Sequence, residues 1–124
     1  KMKKIILLIS IFVLLLTVSC VSEDKDSASG YSEYEALSKL IDEQADVYYL
    51  IDVRTAEEYA AGNIPGSVNI PYDIIGNNMP TDDKDAIIIV YCRSGNRSGQ
   101  AYRTLRSLGY KNLHDFGAFS KWKG

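Results

Sequence analysis

The residues best suited to chemistry lie in one short polar loop, in which Cys92 leads into a run of arginine, serine, glycine and asparagine. A cysteine thiolate is a strong nucleophile, and positive charge or backbone N–H groups aimed at the sulfur favour it over the thiol. Arg93 and Arg97 add formal positive charge, while the loop and the first turn of a following helix can supply N–H groups. We therefore expect the pKa of Cys92 to lie below that of a free cysteine. The alternative is an inert cysteine that packs in the core as a small apolar residue.

The elements on either side of this loop predict where it lies in the fold. Residues 87–91 are apolar and rich in β-branched side chains, which indicates a strand buried on both faces of a parallel sheet. The polar loop spans residues 92–97, and from Ser98 apolar residues recur at helical spacing until Gly109, a typical helix end. The cysteine therefore ends a buried strand and precedes a helix N-terminus, a position at which open α/β sheets bind ligands.

Strand and helix patterns alternate along the rest of the domain. Ser32 with Glu35 fits a capping box for a first helix, residues 47–53 form a second apolar strand, and Thr55 with Glu58 caps a short helix. Two further short strands are predicted at residues 67–70 and 112–116. Residues 71–85 are predicted to be mostly loop, with at most one helical turn at 72–75, and residues 117–123 to form a final helical turn. This alternation predicts an α/β fold with a doubly wound, mainly parallel sheet and helices on both faces.

Three charged residues near the second strand, Asp52, Arg54 and Glu58, could act as catalytic carboxylates with a clamping arginine. The alternative is an ion-paired scaffold that fixes this turn beside the cysteine loop, and we favour it because an ionised thiol needs no carboxylate base. The lone histidine, His114, lies on the last predicted strand and is interpreted as a packing or surface residue. The sequence contains no Cys-x-x-Cys pair and no Cys/His cluster, so we expect neither a metal site nor a cofactor.

Three sequence patterns make the chain similar to the rhodanese-like sulfurtransferase family. The segment CRSGNRS at residues 92–98 resembles the active-site loop of that family. The segments DVRTAEEY at residues 52–59 and GNIPGS at residues 62–67 resemble its other signature. A closing Gly…Trp…Gly pattern falls at Gly117, Trp122 and Gly124. The resemblance covers the chain from about Tyr31 to its end.

The resemblance implies a single rhodanese-like domain that transfers sulfur through a cysteine persulfide. Cys92 would attack the outer sulfur of thiosulfate or of a persulfide, and a thiol or cyanide would then remove that sulfur. The substrate-binding loop would consist of the residues after the cysteine, namely Arg93, Ser94, Gly95, Asn96, Arg97 and Ser98. Asn63 departs from the family, which usually has a structural histidine at this position, and the change bears on local stability more than on chemistry.

Two other functions fit parts of the same pattern. Cysteine phosphatases on similar folds have a Cys-x5-Arg loop, but their phosphate-binding loop is one residue longer than the loop from Cys92 to Arg97. A tetrahedral phosphoryl group should fit poorly in the shorter loop, which favours sulfur transfer. A non-catalytic binding module or sulfur carrier is the remaining alternative; the intact cysteine and its arginines argue against it but leave a carrier open.

The amino-terminal residues predict export and membrane attachment. Three lysines precede an apolar stretch of 14 residues at positions 5–18, which has the length of a signal peptide. Small residues before Cys20 resemble a lipoprotein processing site, so we expect Cys20 to become the lipidated N-terminus of a cell-envelope lipoprotein. A plain secretory signal, giving a secreted or periplasmic protein, and an uncleaved anchor stay open as alternatives.

The chain is thereby divided into three parts. Residues 1–19 are assigned to the signal peptide, residues 20–30 to a flexible polar tether, and residues 31–124 to the rhodanese-like domain. The chain length of 124 residues and the apolar content of 46% suit one small domain.

The charge distribution favours a small anionic substrate. The chain has a formal charge of −2, which becomes −5 without the three lysines of residues 1–19. Residues 86–114 nevertheless contain five basic residues and no acidic ones. An acidic domain that is basic around its thiol suits an anion such as thiosulfate, and it does not suit nucleic acid, which would need a broad basic face.

Overall fold

Four parallel strands position the cysteine loop. The computed structural model describes residues 30–124, in which the strands are β1 (Tyr48–Asp52), β2 (Val68–Asn69), β3 (Ile87–Cys92) and β4 (Leu113–Ala118). Their spatial order is β2-β1-β3-β4, and each neighbouring pair is parallel. The strand that ends in Cys92 therefore lies between β1 and β4. The predicted signal peptide, tether and lipidated Cys20 lie outside the described residues, apart from Gly30.

Helices cover both faces of this sheet, as the alternating pattern predicted. They are α1 (Tyr34–Glu43), α2 (Ala56–Ala61) and α3 (Asn96–Ser107). Short 3-10 turns occur at Gly30–Ser32, Ile75–Asn77 and Phe119–Lys121. Of the helices among residues 30–124, none has the length and apolar character needed to cross a membrane.

The central strand β3 is buried on both faces because alternate side chains enter different cores. Ile88 and Val90 pack with Ala101 and Leu105 of α3 on one face. On the other face, Ile89 and Tyr91 pack with Leu37 and Leu40 of α1. Burying an aliphatic side chain of this size stabilises a fold by roughly 1.5–3 kcal/mol. Because both cores depend on β3, the carboxyl end of this strand is a rigid place for Cys92.

The first helix begins differently from the prediction. Gly30–Ser32 forms a 3-10 turn, and Glu33 is the N-cap of α1, without a side-chain capping bond. The Ser32–Glu35 capping box is therefore wrong. The backbone N–H of Tyr31 donates to Nδ1 of His114 at 3.2 Å, which ties this turn to β4 and keeps Ser32 from the cap position.

Other boundaries differ by a few residues. The helix α3 begins at Asn96 instead of Ser98, so the loop is shorter than predicted. The strand β4 continues past Phe116 because a register shift opposite Val90 and Tyr91 lets pairing resume at Gly117. The turn expected at residues 72–75 lies instead at Ile75–Asn77, whereas the capping box of Thr55 and Glu58 is confirmed.

Candidate active site

The Cys92 sulfur lies in a cradle formed by the loop that follows it. The residue is fully buried at the end of β3. The Gly95 N–H donates to Sγ at 3.0 Å, and the Cys92 thiol donates to the Ser98 Oγ at 3.5 Å. The Ser98 hydroxyl donates in turn to the Gly95 carbonyl oxygen at 3.1 Å, so it links the sulfur to the start of α3.

The loop can close around the sulfur because Gly95 has a left-handed backbone. Its φ is +101°, a conformation that residues with a Cβ rarely adopt, and it serves as the N-cap of α3. The turn brings its own N–H onto Sγ and directs the amino end of a twelve-residue helix towards the sulfur. The partial positive charge of a helix N-terminus favours an anion at this place.

The cradle favours thiolate over thiol. Burial by itself raises the pKa of Cys92, because it penalises the charged form. A side-chain hydrogen bond with Ser98 and hydrogen bonds with the backbone N–H groups of Ser98, Gly95 and Ser94 outweigh that effect, and the pKa is lowered. The loop therefore holds a sulfur anion with donors that are already in place.

Arg97 binds a carboxylate of the other signature. Its Nη1 and Nη2 donate to Oε1 and Oε2 of Glu58 at 2.7 and 3.0 Å. The two side chains are 25% and 28% exposed. The hydrogen bond from Arg97 is the main cause that lowers the pKa of Glu58 to about 2. This bidentate pair fastens α2 to α3 beside the cysteine loop.

A second, buried ion pair lies at the end of β1. Asp52 is fully buried and Arg54 is 6% exposed, and the Arg54 Nη2 lies 2.7 Å from the Asp52 Oδ2. The Arg54 Nε and backbone N–H also donate to this carboxylate, and Nη2 donates to the Gly62 carbonyl oxygen at 2.6 Å. The guanidinium carbon lies 4.5 Å from the centre of the Phe119 ring. Asp52 and Arg54 therefore bind each other, whereas Glu58 binds Arg97.

Sequence reasoning missed the role of Tyr91, which it included only in the apolar strand of residues 87–91. This side chain is fully buried, and its hydroxyl accepts from the Ile64 N–H and lies 3.0 Å from the Ser67 Oγ. Burial is the main cause that raises the pKa of Tyr91 to about 12, so the phenol stays neutral. The signal available was its place: directly before Cys92, and hence on the opposite face of β3.

Two residues singled out from the sequence have local structural contacts. Asn63 donates through Nδ2 to the Tyr59 carbonyl oxygen at 3.0 Å and so satisfies an acceptor at the end of α2. His114 has its Nε2 2.7 Å from the Asn112 Oδ1, and burial lowers its pKa. In register His114 is opposite Ile89, three residues before Cys92, so it lies away from the sulfur and is a packing residue.

The rest of the predicted loop forms its outer surface. Arg93, Ser94 and Asn96 are exposed, and the Asn96 Oδ1 accepts from the Gln100 Nε2 at 3.2 Å. Within residues 30–124, histidine, cysteine and acidic side chains form no group of three or more that could hold a metal ion. The site is therefore built from one sulfur nucleophile, a ring of N–H and O–H donors, and exposed polar residues at the rim.

A parallel α/β sheet that presents a cradled cysteine at the carboxyl end of an interior strand is arranged for nucleophilic chemistry by the thiolate. Residues 33–124 match the family described as the rhodanese-like domain. Since this match covers most of the chain, the protein belongs to the rhodanese-like domain family, which the sequence patterns predicted. Named relatives are sulfurtransferases, and the chain is a rhodanese-type sulfurtransferase at the level of the family.

Three comparisons show how far the similarity extends. The adenylyltransferase and sulfurtransferase uba4 of Ogataea parapolymorpha is 38% identical over 104 residues, which cover 75% of this chain but only 26% of that much longer protein. The thiosulfate:glutathione sulfurtransferase of Homo sapiens is 33% identical over 59% of this chain and 76% of its own length. The solved structure of the human single-domain sulfurtransferase TSTD1 superposes with a TM-score of 0.65 at 28% identity, over 73% of this chain and 91% of that one.

Proposed function

We propose that the protein moves a sulfane sulfur from thiosulfate or a persulfide to a thiol or cyanide through a persulfide on Cys92. In the first half-reaction the Cys92 thiolate attacks the outer sulfur of thiosulfate. A bond forms between Sγ and that sulfur, the S–S bond of thiosulfate breaks, and sulfite leaves with the electron pair. The product, Cys92–S–S⁻, carries the same single negative charge as the thiolate that attacked.

In the second half-reaction an acceptor thiolate attacks the outer sulfur of the persulfide. The bond between Sγ and the outer sulfur breaks, and Sγ leaves as a thiolate that the cradle stabilises. The acceptor carries the sulfur away as its own persulfide, so no oxidant or reductant is consumed. Ping-pong kinetics are expected, because the donor product leaves before the acceptor reacts.

The observation that carries this proposal is the Gly95 N–H at 3.0 Å from Sγ, together with the other donors that lower the pKa of Cys92. They stabilise the anionic sulfur that must exist before the first step and after the second. The thiosulfate:glutathione sulfurtransferase among the relatives supports thiosulfate as donor and a thiol as acceptor. Because Cys92 has no exposed surface, a donor can reach Sγ only when the loop moves slightly aside.

The arginines have different roles in this proposal. Arg97 is occupied by Glu58 in a bidentate pair, so its charge is largely compensated. Arg93 is exposed on the loop and takes the role of capturing the dianionic donor at the rim. The loop of six residues from Cys92 to Arg97 supports sulfur transfer over phosphoryl transfer, for which related sites use a longer loop.

Intact-mass spectrometry of the purified protein after exposure to thiosulfate tests the reaction class. We expect an adduct of about 32 Da, one sulfur atom, that maps to Cys92 and disappears when a thiol is added. No adduct with thiosulfate or with a small persulfide would overturn the proposal. An adduct that forms but is not released to any thiol or to cyanide would indicate a sulfur carrier.

The proposal includes attachment of the protein to the cell envelope through a lipid on Cys20. It is supported by the signal-peptide pattern of residues 1–19 and by the polar composition of residues 20–30. In a Cys20→Ala variant we expect the protein to leave the detergent phase or to stay unprocessed. Unchanged partitioning and unchanged mass in that variant would reject the lipid anchor and favour a secreted or periplasmic protein.

A further inference from the structure

The two halves of the domain carry opposite charge. Residues 30–85 contain twelve acidic and three basic residues, a formal charge of −9, whereas residues 86–124 contain seven basic and one acidic residue, a formal charge of +6. In the sheet, β2 and β1 of the acidic half lie on one side and β3 and β4 of the basic half on the other, while α1 of the acidic half packs on β3 from the face opposite α3. The acidic half holds β1, β2, α1 and α2; the basic half holds β3, β4 and α3, together with the Cys92 loop.

Four exposed cations form what we call the basic face: Arg93, Arg103, Arg106 and Lys111. Arg103 and Arg106 are three residues apart on α3 and so lie on neighbouring positions of its surface. Arg106 and Lys111 line the same surface depression of about 310 Å³. The basic face therefore consists of Arg103, Arg106 and Lys111 along α3 and before β4, together with Arg93 on the loop that precedes α3.

Little within the described chain neutralises these charges. Arg106 donates to the Tyr102 hydroxyl at 3.2 Å, a neutral partner. Asp115, the single acidic residue of this half, lies with Arg103 beside Gly99, and its Oδ1 is buried without a hydrogen-bond partner in the described residues. Lys121 is not part of the face, because it donates to backbone carbonyl oxygens of Ser32 and Phe116.

The length of the face indicates the size of its partner. The helix α3 has twelve residues and spans roughly 18 Å at 1.5 Å per residue, several times the length of thiosulfate or cyanide. A small donor can use Arg93, but it leaves Arg106 and Lys111 without a role. A long polyanion such as nucleic acid would meet the acidic half as well, since residues 30–124 carry a net charge of −3.

We propose that the basic face docks an acidic protein or peptide that carries the acceptor thiol, an inference that rests on the sulfur transfer proposed above. Once docked, the acceptor thiolate attacks the outer sulfur of Cys92–S–S⁻, the Sγ–S bond breaks, and Sγ leaves as a thiolate. The acceptor becomes R–S–S⁻, so atoms and charge balance. Complementary charge raises the rate of encounter. A partner that lies along α3, from Lys111 beyond its end to Arg93 before its start, can present its thiol at the Cys92 loop.

Single-turnover kinetics with synthetic peptides test the proposal. The protein is loaded with sulfur, its persulfide is confirmed by mass, and it is mixed with a cysteine peptide flanked by glutamates or by lysines. We expect the acidic peptide to react on the order of tenfold faster at low salt, with the advantage fading as added salt screens the charges. Equal rates for the two peptides would overturn the proposal, whereas failure to form the persulfide would instead reject the proposed function.

Charge-reversed variants locate the docking surface. Arg106→Glu and Lys111→Glu should each slow transfer to the acidic peptide several-fold and leave transfer to the uncharged thiol 2-mercaptoethanol unchanged. Lys39→Glu, on an exposed position of α1 in the acidic half, is the matched control and should change neither rate. If Lys39→Glu slows the acidic peptide as much as Lys111→Glu does, overall charge and not the basic face is responsible.

Two further measurements separate docking from chemistry. Binding of an acidic peptide without cysteine to the unloaded protein, followed by fluorescence anisotropy, should weaken in Lys111→Glu and persist in Lys39→Glu. Sedimentation velocity measures whether the protein self-associates, because the acidic half of one molecule could bind the basic face of another. Self-association that is lost in Lys111→Glu would overturn the assignment to an acidic thiol partner.

Discussion

The loops after β1 and β3 handle charge in opposite ways. After β1 the permanent charges of Asp52 and Arg54 bind each other, and the pair is buried. After β3 the sulfur of Cys92 is met by N–H groups and a hydroxyl, while the nearby Arg97 is bound to Glu58. A permanent charge can be held by a counter-ion that never leaves. The negative charge at Cys92 lies on Sγ in the thiolate, on the outer sulfur in the persulfide, and on Sγ again after transfer. Fixed hydrogen-bond donors can stabilise this charge at each stage without moving.

Of the changes that test this comparison, removing the Cys92 sulfur should have the largest effect on sulfur transfer. In Cys92→Ser the hydroxyl stays protonated near neutral pH and cannot form a persulfide, so we expect sulfur transfer to fall to background. The melting temperature should change by no more than a few degrees, because the substitution is small and the donors of the loop remain. Residual transfer above one tenth of that of the parent would mean that a different nucleophile carries the sulfur.

Breaking the buried pair should have the largest effect on stability. Asp52→Ala leaves the buried guanidinium of Arg54 without its carboxylate and should lower the free energy of unfolding by about 3–5 kcal/mol. Urea unfolding measures this loss, with Asp46→Ala, at an exposed position, as the matched control. A loss below about 1 kcal/mol would show that the loop after β1 does not depend on the pair.

Replacing a glycine of the cradle should affect stability and chemistry together. Gly95→Ala places a Cβ on a residue with φ +101°, and Gly109→Ala does so at φ +96°, in open space at the far end of α3. Each should lose about 1–2 kcal/mol of stability from backbone strain. Only Gly95→Ala displaces the N–H from Sγ, so only there should the pKa of Cys92 rise, measured by pH-dependent alkylation. An equal thiol pKa in both variants would contradict the cradle.

The order of strands and helices could be predicted from local patterns, because a strand buried on both faces and a capped helix each have a distinctive sequence pattern. The apolar run of β3 and the Thr55–Glu58 capping box were confirmed. The start of α1 could not be predicted, because a contact between Tyr31 and His114, 83 positions apart, holds the preceding turn. The early start of α3 at Asn96 likewise depends on the left-handed backbone of Gly95.

The site was predictable in its residues and less so in their partners. The sequence shows Cys92 close to two arginines, but it does not show that Arg97 pairs with Glu58, 39 positions away. Nor did it show that Tyr91, one residue before the cysteine, supports the turn at Ile64 from the other face of the sheet. Both contacts depend on which elements become neighbours, and that is decided by the whole fold and not by spacing within one segment.

Removing the partly exposed pair should have the smallest effect and gives the sharpest test of the comparison. Arg97→Ala should cost only ~0.2–1 kcal/mol near neutral pH, because water already screens the pair. The folded pKa of Glu58, about 2, lies below its ordinary 4.5, so the pair stabilises the protein above about pH 4.5. Its contribution is lost as the pH falls from 4.5 towards 2, and the difference between parent and variant should close over that range.

The same variant decides what activates the thiol. The donors that lower the pKa of Cys92 belong to Ser94, Gly95 and Ser98, and Arg97→Ala leaves all of them in place. We therefore expect the thiol pKa to rise less in Arg97→Ala than in Gly95→Ala, and Arg93→Ala to weaken capture of thiosulfate more than it changes the thiol. If either arginine variant returned the pKa to that of a free cysteine while Gly95→Ala did not, side-chain charge would dominate. The two loops would then follow one electrostatic principle, because the anion at Cys92 would also be held by a counter-ion.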